Sequence, residues 1–347
     1  MFLNESELIV VRNTKSVNFI SCMSEKTPLL RYDGKESFEN WHEKAYKKLW
    51  EILGLDKMVK CEDDDFFIDS EEKRQGYKKI HFSFQTEPDL YIPCYGLFPD
   101  DDTKIKGIVI CIQGHSTGMH ISIGEAIFDC DKDLISGGDR DFALRAIKEG
   151  YAAVCMEQRY TGECGCEPSG SPSCFRSGRA LPSLLLGRCA VGERVWDVMR
   201  LIDVLEKYFP SYSKKPLICL GNSGGGTTTF YASCIDTRID CSVPSCAVCT
   251  YKDSIVDIHH CSCNYIPGIA EHFDMGDIGG LIAPRKLVVV NGREDNIFPL
   301  FGVKKATDLI CEYYKAAGCE NNFHTVTGDG GHRFYADAAW EIINKII

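Results

Sequence analysis

The chain has 347 residues, 44% hydrophobic and 26% charged, with 50 acidic against 39 basic side chains and a formal net charge of −11. That length fits one large α/β domain with extensions, or two small domains. The charge, without any dense Lys/Arg block, argues against nucleic acid as a partner, and the lack of a run of about 18 apolar residues argues against a transmembrane helix. The segment Met1–Val11 carries Glu5 and Glu7 and no basic leader, so it does not read as a signal peptide.

In chain order, the first element is an amphipathic helix. From Ser37 to Leu53, Phe38, Trp41, Tyr46, Leu49, Trp50 and Ile52 recur near helical spacing, and Gly54 is a natural stop. This predicts a helical extension over residues 1–75, packed on a main domain of residues 76–347. The acidic stretch Glu62–Asp65 reads as a solvated turn. Ile80–Phe84 and Tyr91–Phe98 read as two strands around the polar turn Gln85–Asp89.

Short apolar runs then alternate with helical patterns. The strands are Gly107–Ile112, Ala152–Met156, Leu217–Leu220, Cys241–Val248, Lys286–Asn291 and Phe323–Val326. The helices are Phe142–Glu149, Val191–Tyr208, Gly224–Ser233, Val303–Ala317 and Phe334–Ile346. Such alternation implies an α/β fold with a mostly parallel central sheet flanked by helices. Two stretches break the pattern, Cys164–Arg188 and Tyr251–Ile282. Both are rich in Gly, Pro, Ser and Cys, and are expected to form loops or a small cap over the catalytic edge of the sheet.

The 19 cysteines are scattered through apolar, strand-like runs, as at Cys111, Cys155, Cys219 and Cys246. In a chain of this size they read as small buried hydrophobes with free thiols in a reducing cytoplasm, rather than as a disulfide framework.

Chemistry is carried first by Gly221-Asn222-Ser223-Gly224-Gly225, set between a buried strand and a helix. A nucleophile on a tight strand-to-helix turn needs small neighbours for the chain to pass closely. The turn also aims the first N–H groups of the helix at a developing oxyanion. A phosphate-binding loop is the competing reading. No Lys-Ser/Thr pair closes the glycine run, and a dinucleotide loop would follow the first strand of a βαβ unit. The partners follow in the order this arrangement demands. Asp295, three residues after Gly292 at the end of a strong strand, is the expected acid, in preference to Glu294. His332, on the loop Gly328–Arg333 before the closing helix, is the expected base. His324, inside the last strand, reads as structural.

The loop Gln113–His120 follows the first central strand. There the His115 N–H, with the Gly224 N–H, is the expected oxyanion hole. Gln113 and Arg159 are expected to contact substrate; the alternative for Arg159 is to brace a loop acid. Metal ligation by His115 and His120 is set aside, because no carboxylate or cysteine nearby in the sequence completes the set. The segment His259-His260-Cys261-Ser262-Cys263, with His272, and the group Cys164, Cys166 and Cys174 are read as packing rather than metal sites. No metal and no cofactor is expected.

With these motifs in place, the chain resembles the α/β-hydrolase superfamily. Within it, the chain is similar to bacterial esterases of the acetyl xylan esterase-like group, near the dienelactone hydrolases. The resemblance covers about residues 75–347. It rests on Ile112-Gln-Gly-His-Ser-Thr-Gly-Met-His120, Gly138-Asp-Arg-Asp-Phe-Ala143, Glu157-Gln-Arg159, Gly221-Asn-Ser-Gly-Gly225, Asn264-Tyr-Ile-Pro-Gly268, Ile282-Ala-Pro-Arg285, Gly292-x-x-Asp295 and Gly331-His332. Dienelactone hydrolases proper use a cysteine nucleophile, and here Ser223 takes that place. The resemblance implies a serine esterase removing small acyl groups, acetyl first, from a carbohydrate or other alcohol. A peptidase-like hydrolase and an idle binding module are the alternatives. No nucleic-acid or membrane partner is expected, and self-association is left open.

Overall fold

The alternation of strands and helices resolves, in a computed structural model of the chain, into a single nine-stranded sheet. The structure describes residues 20, 22, 25–165 and 180–347. The strands are β1 Phe67–Arg74, β2 Tyr77–Glu87, β3 Leu90–Pro99, β4 Ile108–Ile112, β5 Ala152–Met156, β6 Leu217–Asn222, β7 Cys241–Ser245, β8 Lys286–Gly292 and β9 Phe323–Gly328. Their spatial order is β1-β2-β3-β5-β4-β6-β7-β8-β9. The β1–β2, β2–β3 and β3–β5 pairs are antiparallel, and every pair from β5–β4 to β8–β9 is parallel.

The parallel strands β4 to β7 are buried at every position because both faces are covered. Alternate residues feed two cores. Ile108, Ile110, Leu217, Cys219, Leu287 and Val289 join the core that holds the helices Ala190–Tyr208, Gly224–Ile235 and Leu300–Ala316. Val109, Cys111, Ile218, Leu220, Val288 and Val290 face Phe142–Glu149 and Ala336–Ile346.

The N-terminal helix forms as its spacing predicts, over Phe38–Ile52. Ser37 caps it by accepting the Asn40 N–H, and Leu53 follows as its C-cap. Phe38, Trp41, Ala45 and Leu49 enter the first core, where Trp41 stacks on Tyr313 of the Leu300–Ala316 helix at 4.6 Å.

Two local expectations change. Strand β1 lies inside the stretch expected to be a helical extension. All eight of its residues are exposed, so it carries no apolar period to read. The run Cys241–Val248 leaves the sheet at Ser245, because Cys246 adopts φ 48°. Residues 166–179, with Cys166 and Cys174, lie outside the described residues. The segment 251–282 does form short helical turns, at Lys252–Val256, Ser262–Asn264, Ile269–His272 and Met275–Gly279. No helix among the described residues is long and apolar enough to cross a membrane.

Candidate active site

Strand order reverses beside β4: the chain runs from β4 to β5 on one side and later returns to β6 on the other. Loops leaving β4 and β6 therefore diverge, which opens a crevice at their carboxyl ends. Ser223 follows β6 directly and caps the helix Gly224–Ile235 with φ 58° and ψ −124°. A non-glycine residue holds such angles only where its surroundings over-determine them. Here the Ser223 N–H donates to the Ser245 carbonyl at 2.8 Å, and the Ser223 carbonyl accepts the Thr227 N–H at 2.8 Å. Gly225 has no room for a side chain, since a Cβ would stand 2.1 Å from the Ile112 carbonyl oxygen. The N–H groups of residues 224–226 precede the first closed turn of the helix and carry its positive end.

Asp295 lies on the turn after β8 and is buried. Its Oδ1 accepts the N–H groups of Ile297 and Phe298 at 2.9 and 3.1 Å, and its Oδ2 meets His332 Nδ1 at 2.8 Å. Burial by itself raises this carboxyl's pKa. The imidazole and the two N–H donors outweigh burial and hold it below the ordinary value. Glu294 is exposed.

The acid and base loops are knitted together. Arg293 N–H donates to the Gly328 carbonyl at 2.8 Å and Glu294 N–H to that of Gly330 at 2.9 Å. A Cβ on Gly292 would stand 2.1 Å from the Gly331 carbonyl, so only glycine lets the loops approach this closely. The His332 ring lies parallel to Phe298, 6.0 Å between centroids.

Ser223 and His332 line one cavity of about 220 Å³, together with Gly224, His115, Arg140 and Phe298. The 251–282 segment covers it with His259, His260, Cys261 and Asn264. Burial pushes the His260 imidazole down to about 4, so it is neutral at physiological pH, and its Nε2 lies 2.9 Å from Ser254 Oγ. A larger concavity of about 330 Å³, between Arg31, Lys252, Asp253 and Lys305, has no serine, cysteine or histidine among the described residues of its wall.

The expected oxyanion loop is adjacent: a Cβ on Gly114 would stand 2.8 Å from Ser223 Cβ, and one on Gly224 would stand 3.0 Å from the His115 ring. Behind it, the buried Glu157 carboxylate accepts the Met119 N–H at 3.0 Å and those of Gln158 and Glu163 at 3.2 and 3.3 Å. Burial still wins over these donors and pushes Glu157 up to about 7.

Two expected substrate contacts are not in the cavity wall. Gln113 is buried beneath it, where its Nε2 donates to Ser122 Oγ and to the Arg140 carbonyl, both at 2.7 Å. Arg159 is consumed by acids. It grips Asp197 with two bonds of 2.7 and 2.6 Å and reaches Glu87 at 2.7 Å. It braces these buried acids, which sit on a helix and at a strand end rather than on a loop. Burial lowers its pKa, and the surrounding carboxylates outweigh that and drive it far upward. The residue missed by sequence reasoning is Arg140. It sits inside the quoted Gly138–Ala143 stretch and looks there like any other loop cation.

Donor sets for a metal also differ from expectation. His120 Nε2 turns away to Asp131 at 3.0 Å, so His115 and His120 do not form a pair. His115 Nε2 instead lies 3.1 Å from Cys263 Sγ, which lies 3.2 Å from Cys261 Sγ. These three soft donors fall within 4.8 Å of one another, of the type that suits zinc. The completing cysteines come from about 146 residues further along the chain, beyond the reach of local spacing. Cys246 lies against Asp295 and His332 in a second such group. Each described cysteine carries a thiol rather than a disulfide.

Residues 17–185, just under half of the chain and ending before Ser223, match the family described as the Abhydrolase family. A Bacteroides fragilis protein named as an acetyl xylan esterase superposes with a TM-score of 0.75, covering 91% of this chain and 83% of its own at 19% identity. The chain has the α/β-hydrolase fold. The chain also superposes on a methylesterase, with TM-score 0.68, 18% identity and coverage of 96% and 69%. A glucuronoyl esterase from Solibacter usitatus gives 0.64 at 13% identity, over 92% and 96% of the two chains. In sequence, YtaP of Bacillus subtilis (strain 168), named as a hydrolase, is 26% identical over 153 residues, 43% of this chain and 50% of YtaP. That match spans about half of the relative's length.

Proposed function

We propose that the chain is a serine carboxylesterase that works through an acyl-enzyme. The observation that carries this reading is one cavity shared by a strained Ser223 and by His332, whose Nδ1 is held 2.8 Å from Asp295. His332 Nε2 takes the Ser223 proton as Oγ attacks the ester carbonyl. The tetrahedral oxyanion is bound by the N–H groups of His115 and Gly224. Collapse breaks the bond to the alkoxide, which leaves with the proton from His332. Water then attacks the acyl-enzyme with His332 as base, releasing the acid and restoring Ser223. Asp295 fixes the imidazole's tautomer and stabilises its charged form.

The acyl group is small, acetyl first, and the alcohol is a carbohydrate or similar polyol. Support comes from the modest cavity of about 220 Å³ and from structural neighbours named as acetyl xylan, methyl and glucuronoyl esterases. The many thiols of the interior suit a reducing, cytoplasmic setting. The test is labelling by a fluorophosphonate together with hydrolysis of 4-nitrophenyl acetate. Wild type is expected to show both and Ser223→Ala neither. Absence of labelling in wild type would favour an idle binding module, and turnover of peptides over esters would favour a peptidase.

A further inference from the structure

Arg140, in the wall of the candidate active site, is a buried cation without a counter-charge among the described residues. It is 5% exposed, and its Nε and Nη1 are buried with no hydrogen-bond partner. Its own backbone is fixed, since the carbonyl accepts Gln113 Nε2 at 2.7 Å. The adjacent acid does not neutralise it: Asp139 Oδ2 pairs instead with Arg333 at 2.6 Å and accepts the Ala336 N–H at 3.2 Å. Burial pulls the guanidinium pKa down to about 10, so it stays charged at neutral pH. The Cys246 thiol is the one group that acts on it in the opposite direction. That thiol is itself kept protonated near neutrality, pushed up to about 12 by burial and by the charge of Asp295.

The rest of the cavity wall fits the same picture. Its described residues include no aspartate or glutamate, although the chain as a whole carries a net charge of −11. Asp295 stands behind His332, with its oxygens occupied by that ring and two N–H groups. Low-dielectric walls of one sign focus the field on whatever enters. A planar guanidinium with open N–H groups matches a carboxylate.

We infer that Arg140 is a specificity-determining residue, and that the preferred substrate is an ester carrying a carboxylate within reach of Ser223. This rests on the esterase reading and narrows its substrate class. The carboxylate has two possible origins: the acyl part, as in a half-ester of a dicarboxylic acid, or the alcohol part, as in an acylated acidic sugar.

The experiment compares kcat/KM for two pairs of substrates on the purified protein. Mono-4-nitrophenyl succinate against 4-nitrophenyl acetate tests an acyl-borne carboxylate. Acetylated galacturonate against acetylated galactose tests an alcohol-borne one. Each is run with wild type, Arg140→Gln and Arg140→Lys. The expected result is a preference of at least about 10-fold for the anionic member of one pair in wild type, falling about 10- to 100-fold in Arg140→Gln, mainly through KM, and partly kept in Arg140→Lys. Calorimetric titration of succinate and of galacturonate into Ser223→Ala adds a readout that needs neither turnover nor a folded Arg140 variant. One of the two is expected to bind and the neutral amide or sugar not to bind. The inference is overturned if neither anion binds and wild type prefers neutral esters, or if Arg140→Gln slows neutral and anionic esters equally. In those cases fluorophosphonate labelling and acetate hydrolysis still report separately on the esterase reading.

Discussion

Arg159 and Arg140 are each 5% exposed, yet among the described residues one is saturated with acids and the other has none. Around Arg159, Asp197 supplies two bonds, Glu87 a third, and Thr86 Oγ1 donates to Asp197 at 2.7 Å. Arg188 closes the same group from the other side, 3.0 Å from Glu193 and also paired with Glu87. This cluster ties the end of β2 to the Ala190–Tyr208 helix. Its charges are matched within the protein, so it has nothing left to offer a ligand. Arg140 faces the cavity with its donors open. The pair teaches that burial alone does not give an arginine its role; what decides is whether the fold supplies the counter-charge.

The comparison makes predictions that can break it. The largest effect belongs to the cavity. Ser223→Ala should lower kcat by 10⁴-fold or more, about the size expected for loss of a nucleophile, while leaving the thermal unfolding midpoint unchanged. Asp295→Asn should lower kcat by about 10⁴-fold, because the imidazole loses its fixed tautomer. Loss of activity through unfolding in either variant would blur the line between cavity and scaffold.

The two arginines should then separate by stability. Arg159→Gln leaves Asp197 buried without its cation and Glu87 with Arg188 alone, and should cost about 3–5 kcal/mol in urea denaturation. Arg140→Met removes an uncompensated charge and should leave stability unchanged or raise it by about 1 kcal/mol, while substrate discrimination is lost. Equal destabilisation of both variants would sink the comparison.

The buried acids should also separate by pH. Glu157 stands at about 7 in the fold against an ordinary 4.5. Between those values the folded state holds a proton that the unfolded chain has released, so stability should fall by about 3 kcal/mol as pH rises through the window. Glu157→Gln should flatten that slope. Asp295 has the opposite sign. Its carboxyl is lowered, so its contribution is complete above the ordinary 3.8 and is lost as pH falls through the lower folded value. Denaturation series from pH 3 to pH 8 would read both slopes, and the Asp295 effect should be the smaller.

What was legible in the sequence follows from range. The parallel strands and the Gly221–Gly225 turn are local patterns, and they emerge nearly as read: β5 spans Ala152–Met156, and the helix after β8 begins at Leu300 rather than Val303. Asp295 and His332 were legible because each follows a strand end at fixed spacing, and the structure brings their side chains together. Arg159 and Arg140 were not distinguishable. The partners of Arg159 lie 38 and 72 residues away, and the isolation of Arg140 depends on where every distant acid goes. The donors beside His115 escaped for the same reason. Strand β1 escaped because hydrophobic period reports burial, and this strand has none.

That exposed strand also governs how the molecule meets its own copies. An outermost strand presents a row of unpaired backbone groups, a template for another chain. Glu71, Glu72, Lys73 and Arg74 occupy the second half of β1, and across the hairpin Glu71 and Glu72 pair with Lys78 and Lys79 at 3.4 and 3.3 Å. A second copy docking there would have to strip water from this mixed-charge strip before gaining a single ladder bond. Four charged residues thus guard one rim of the sheet against edge-to-edge pairing, away from the strand ends that carry the candidate site.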